Sequence, residues 1–328
     1  MNASPAKPSA VTLQINLCAG DAAYAEHTVP PLVRAHPGVA RRLLVVDCCR
    51  PQRTRIFDPA TRLPEPAFTQ RLNRVREIAA EFQRQGLFDD IAWLEPGSAL
   101  FPQLAARYAR PWMTETHDYG GCAFMGYWAA FDLPRTRFVL HYDADMCLHQ
   151  APGFDWAGEC LRHWADYPQA VAATPRISPP GFARTPAEDA PSLHEGRPAE
   201  RVAAGWLNDW FSTRCLLFDR ERLAPHLPLI TGWRALEHRL RRSLDRGYPI
   251  GPESLLHRVL GPRGLRTLNL ADERAWLLHP TSKPAAYLAL LPAMLAAVQT
   301  GQVPLAQRGR SDIDLPVWRD FLGATTAP

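Results

Sequence analysis

RFVLHYDADMCL, residues 137–148, joins an apolar run, Phe138-Val139-Leu140, to two acids, Asp143 and Asp145, before apolar residues resume at Met146. The run has the character of a buried strand. Residues two apart in an extended chain point to the same side, so both carboxylates can face one point if the extended conformation persists. In open α/β sheets the carboxyl ends of strands border the ligand crevice. Two acids placed there do not readily both stay charged unless a cation shares the site. Hard oxygen ligands of this kind suit Mg²⁺ or Mn²⁺, which substrate phosphates commonly complete. The plainer account is one Asp capping the next turn and the other solvated, and the spacing alone does not separate the two.

Outward from this strand, helices and strands alternate. VTLQINL (11–17), RRLLVVD (41–47), DIAWLE (90–95), QAVAATP (169–175), STRCLLFD (212–219) and LRTLNL (265–270) read as strands. The segment 68–86 is the clearest helix: Leu72, Val75, Ile78, Ala79 and Phe82 form one stripe, and Gly86 is a natural stop. The spacing also predicts a helix over 22–37 with a break near Pro30-Pro31, a Gly-started helix over 117–131, and helices over 158–167, 231–248 and 252–264. Such alternation predicts an α/β fold with a mainly parallel sheet. Residues 1–9 read as a disordered tail. The proline-rich stretch from Arg176 to Pro198 reads as a long mobile loop of the kind that forms lids.

Composition narrows the class. The 328 residues are 46% hydrophobic and 21% charged, as in a soluble globular protein, and the net charge of +4 is short of a nucleic-acid binder's. The arginines of the 68–86 helix, and Arg239, Arg241 and Arg242, read as solvated faces without interleaved aromatics. Seven cysteines lack zinc spacing and sit mostly in apolar surroundings, as buried thiols of a reducing compartment. The N-terminus lacks a hydrophobic signal core. The apolar run from Ala285 to Val298 is too short to span a bilayer. The expectation is a cytoplasmic protein, with a peripheral contact at the inner membrane face open to the C-terminal segment.

HDYGGCAFMGYWAAFDLPRTRFVLHYDAD resembles the central segment of GT-A glycosyltransferases, particularly family 2, where a Gly-containing helix precedes a strand ending in a D-x-D motif. VTLQINLCAGDAAYAEHTVPPLV resembles that family's first strand and helix, and RRLLVVD its second strand. PESLLHRVLGPRGLRTLNL resembles the segment that begins with the catalytic acid, and His279 falls where many members carry a late metal-binding His. The resemblance implies a GT-A domain over 10–282 and a helical C-terminal extension over 283–328. The chain departs from the family at Cys48-Cys49 after the second strand and at Glu253-Ser254, where a paired Glu-Asp is usual.

The resemblance implies that Asp145 coordinates Mn²⁺ or Mg²⁺ directly, with Asp143 acting through water or on the donor ribose, and His279 as a further ligand. Asp47 would accept from a ring N–H of uracil or guanine, hence a UDP or GDP donor. Leu17 and Ala19 would line the base or ribose with backbone groups. Gly120 and Gly121 would let the backbone approach the donor phosphates, or simply allow close packing. Glu253 would be the general base of an inverting transfer, with Glu237 as its rival. Trp206, Asp209 and Trp210 would form an acceptor platform for a glycan, lipid or protein acceptor, though core packing is the commoner use of Trp. Two other classes stay in view. A sugar nucleotidyltransferase needs a basic Gly-rich loop after the first strand, and CAGDAAYAEH has neither Arg nor Lys. A non-catalytic nucleotide-binding protein is compatible with the departures at Cys48-Cys49 and Ser254.

Overall fold

The structure is a computed structural model and describes residues 10–181 and 199–325. The expected disordered tail and most of the expected lid lie outside those residues. In chain order the strands are β1 (Val11–Cys18), β2 (Arg41–Asp47), β3 (Asp90–Leu94), β4 (Phe138–Asp143), β5 (Cys147–Gln150), β6 (Ala170–Thr174), β7 (Glu200–Val202), β8 (Gly205–Asn208), β9 (Cys215–Asp219), β10 (Arg266–Leu270) and β11 (Ala275–Leu278). The helices are α1 (Ala25–Arg34), α2 (Pro59–Arg62), α3 (Glu65–Arg84), α4 (Leu100–Tyr108), α5 (Phe124–Asp132), α6 (Trp156–His163), α7 (Arg220–Leu223), α8 (Trp233–Ser243), α9 (Pro252–Leu260), α10 (Ala285–Gln299) and α11 (Leu315–Thr325). They belong to two units that interleave along the chain. The first comprises Met1–Ala22, His36–Asp143 and Phe211–Arg263; the second comprises Ala23–Ala35, Ala144–Trp210 and Gly264–Pro328.

The first unit is the α/β layer the sequence predicts. Strands β3, β2, β1 and β4 run parallel in that order, and β9 closes the row antiparallel to β4. Strands β1 and β4 are buried nearly throughout, as expected of parallel strands covered on both faces. The register sets Cys18 beside Asp47 and Asn16 beside Asp143, so both acids end their strands at the carboxyl edge. Helix α3 buries its apolar stripe, Phe68 included, against this sheet, and Gly86 ends it at φ 67°. Helix α5 packs on β1 and β2, while Tyr108 of α4 stacks on Trp128 at 5.3 Å. The helix expected from 117 starts at Phe124. Asp118 holds the preceding residues in a turn, accepting from Gly120 N and Cys122 N at 2.9 Å each. At the far end of β9, buried Asp219 caps α7 and receives a two-pronged contact from Arg137.

In the second unit β6 and β10 are parallel, with β8 and then β7 added antiparallel. Strands β5 and β11 form a separate antiparallel pair. Helix α1 runs through Pro30 and Pro31 instead of breaking there. The prolines remove two helical N–H donors, and the residues four positions back, Glu26 and His27, are exposed. Helix α10 packs on β5, α1 and α11, and buries Tyr287, Leu291, Met294, Leu295 and Val298. Its apolar residues are therefore largely occupied by the unit's own core. Among the described residues no helix is long and apolar enough to cross a membrane.

Candidate active site

Strand β2 delivers Asp47 into apolar surroundings. The carboxylate accepts from Cys49 N at 2.8 Å through Oδ1, while Oδ2 is buried and receives no hydrogen bond. Burial pushes its pKa up to about 7, against the lowering effect of Cys49. Gly126 of α5 lies beside the carboxylate: a Cβ there would be 3.7 Å from Asp47 Oδ2, an ordinary contact. Leu17 stays in the ladder opposite Val46, and Ala19 opens a short 3₁₀ turn; both are buried.

At the end of β4, Asp143 is fixed by its neighbours. Tyr127 of α5 donates to its carboxylate at 2.9 Å from each oxygen, and His141 Nε2 lies 3.4 Å from Oδ1. The buried His141 is itself held by Gln14 through Nδ1. Burial and then the Asp143 charge raise the Tyr127 phenol well above its usual range, so it remains a donor. Glu253, the second residue of α9, binds the loop before β9. Its Oε1 accepts from Thr213 N at 2.8 Å and Ser212 Oγ at 3.1 Å. No described residue donates to Oε2. The Thr213 side chain also reaches the Tyr127 hydroxyl, linking Glu253 to Asp143 through two side chains. Burial, then the charges of Asp118, Asp143 and Glu253, lift the Cys122 thiol to about 11, with Arg214 opposing them. Three carboxylates thus surround one small region with one arginine beside it. Glu237, the rival base, is bound to Arg241 at 2.9 Å within α8.

The strand ends at Asp143, and Ala144-Asp145 form a turn. The condition that the extended conformation continue through both acids is therefore not met. In the second unit Asp145 is buried and meets Lys283 Nζ at 2.7 Å and His279 Nε2 at 3.6 Å through Oδ2; its Oδ1 is buried and receives no hydrogen bond. Lys283 also lies over the Tyr24 ring, 5.1 Å from its centre. His279 is pinned by main-chain bonds to Ser311 and Ile313 at 2.9 Å each. Beside that segment, Ile177, Ser178 and residues 309–314 line a cavity of about 420 Å³. Among the described residues no three His, Cys, Asp or Glu side chains gather tightly enough to hold a metal. Asp145 Oδ1, which receives no hydrogen bond from a described residue, is the atom open to a Mg²⁺ or Mn²⁺ whose other ligands come from substrate, while Oδ2, toward His279, already carries the Lys283 ammonium.

The other expected site residues lie in the Asp118 turn and in or just after β8. Gly121, at φ 89°, faces the Phe57 ring, which would lie 2.6 Å from an added Cβ. Gly120 serves the Asp118 turn. Trp206 is buried in β8, with Arg201 4.7 Å and Arg176 5.9 Å from its ring centre. Asp209 and Trp210 follow β8 and are half-buried, and Trp210 N donates to Asn208 Oδ1 at 2.8 Å. Asp118, Tyr127, Thr213 and Lys283 were not foreseen. Lys283 does carry a signal: the chain has two lysines, Lys7 and Lys283, among many arginines.

No family model and no curated protein matches the chain. Among solved structures it is similar to the galactosyltransferase LgtC in complex with donor and acceptor sugar analogues, at 11% identity, 97% coverage of each chain and a TM-score of 0.37. It is similar to an active-site mutant of LgtC at 13% identity, the same coverage and a TM-score of 0.37.

Proposed function

We propose that the protein is a glycosyltransferase that moves a sugar from a nucleotide-diphospho-sugar to an acceptor hydroxyl. The observation that carries this reading is the carboxyl edge of the β2–β1–β4 row, where Asp47 presents a buried, donor-free oxygen and Asp143 stands in a braced acidic cluster. An oxygen that no described residue satisfies calls for a further donor, and the ring N–H of uracil or guanine supplies one. Asp143 would orient the donor ribose or phosphate. Glu253, its Oε1 held by Ser212 and Thr213, would take the acceptor proton through Oε2 as the acceptor oxygen bonds to the anomeric carbon. The bond from that carbon to the diphosphate breaks on the opposite face, giving inversion. Asp145 and His279 would hold the divalent ion, which when bound supplies Lewis-acid stabilisation of the diphosphate. Trp210 and Asp209 would meet the acceptor.

Calorimetric titration with UDP and with GDP, with and without Mn²⁺, tests the reading together with an assay of donor-sugar hydrolysis. The expected result is metal-enhanced binding of one nucleotide, and turnover that Glu253→Gln abolishes while binding persists. Binding without turnover of any donor would identify a nucleotide-binding protein without catalysis and overturn the proposal. The anomeric configuration of the product, read by NMR, tests inversion.

A further inference from the structure

Helix α8 is amphipathic with its apolar stripe turned outward. Trp233, Leu236, Leu240 and Leu244, the last just after the helix, follow one another at three- and four-residue steps, and so share one face. They are 76%, 55%, 58% and 56% exposed, whereas His238, on the opposite side, is the helix's buried residue. His238 meets the Tyr248 ring edge-on at 5.9 Å and anchors that side to the unit. A stripe of this kind normally faces a core. Here four large apolar side chains in a row lie open to solvent, a contiguous patch of the kind that marks a docking surface.

The charges beside the stripe point to what covers it. Between Arg234 and Arg246 the segment holds five arginines against Glu237 and Asp245. Glu237 pairs with Arg241 and Arg242 with Glu115, which leaves Arg234, Arg239 and Arg246 against Asp245, so the rim remains predominantly positive. Two copies of this face brought together would oppose like charges, whereas a surface of phosphates over an apolar interior matches both features. We infer that α8 seats the protein on an anionic lipid bilayer, with the Trp233–Leu244 stripe entering the boundary between headgroups and acyl chains. Arg239 and Arg246 then face the lipid phosphates. This contact uses a different helix from the C-terminal apolar run, whose leucines pack inward.

Sedimentation of the full chain with phosphatidylcholine vesicles, with or without about 30% phosphatidylglycerol, tests this. The chain is expected to sediment with the anionic vesicles, less so as salt is raised. The double variant L236S/L240S should lower the partition coefficient by on the order of tenfold or more with circular dichroism and Tm unchanged, because both residues are exposed. Arg239→Gln with Arg246→Gln should weaken binding to anionic vesicles and remove its salt dependence. Absence of sedimentation by the wild-type chain, or equal binding by L236S/L240S, would overturn the inference. So would a concentration-dependent dimer in light scattering that L236S/L240S dissolves without vesicle binding, since the face would then join two copies.

Discussion

Tyr127 and Asp143 form a symmetric pair, with the phenolic oxygen 2.9 Å from both carboxylate oxygens. The helix after the Asp118 turn thereby braces the acid at the end of β4. Tyr127→Phe keeps the ring and removes the donor. It is expected to cost about 1–3 kcal/mol of stability, measured by the urea midpoint. Donor-sugar turnover should fall by on the order of tenfold or more, because Asp143 loses its orientation. An unchanged midpoint would show that water replaces the phenol at no cost.

Asp47 links pH to stability. Its folded pKa, about 7, lies above the ordinary carboxylate value. The folded chain therefore keeps this proton over a range where the unfolded chain has released it. The contribution favours folding fully below the ordinary value and is lost as pH rises to about 7. Asp47→Asn, which cannot ionise, should gain Tm relative to the wild type as pH is raised from acid to neutral, with no further gain above that. A Tm difference independent of pH would contradict the burial argument. Nucleotide binding that places a ring N–H on Oδ2 should strengthen over the same interval in the wild type and not in the variant.

Lys283 and Asp145 are mutually dependent. Lys283→Met leaves the buried carboxylate with His279 as its neighbour and should destabilise by about 1–3 kcal/mol. Adding Asp145→Asn should recover part of that loss, and a double-mutant cycle in denaturant measures the coupling.

Gly205 is required by its neighbour in the sheet. An added Cβ would lie 1.9 Å from the main-chain oxygen of Asn269, which no side-chain motion relieves. Gly205→Ala is expected to separate β8 from β10 locally and to cost roughly 3 kcal/mol or more, visible as a lowered Tm. Gly38, with nothing within 4 Å of an added Cβ, is the control position.

Local patterns made much of this legible. The apolar runs closing in Asp47 and Asp143 identify β2 and β4, and the α3 stripe identifies both the helix and its buried side. Asp143 and Asp145 were readable as acids at a strand end, but not the turn that separates their partners. Lys283 and His279 reach Asp145 from far along the chain, and no short-range periodicity encodes that closure. Helix α8 shows the converse. Its period is plain in the sequence, yet periodicity says which residues share a face and not which way the face looks. The charged turn at Asp118 delayed α5 for a similar reason, since side-chain bonds to nearby amides compete with helical ones.

The interleaving of the two units bears on how the chain comes off the ribosome. The first unit needs β9 and the 252–260 helix, so it cannot be complete until residue 263 has been made. The second waits for its closing helices near the carboxyl terminus. A nascent chain released after β4 would therefore expose the sides of strands whose neighbours do not yet exist. Splitting the gene at any single point between residues 23 and 263 yields fragments of which neither holds a finished unit.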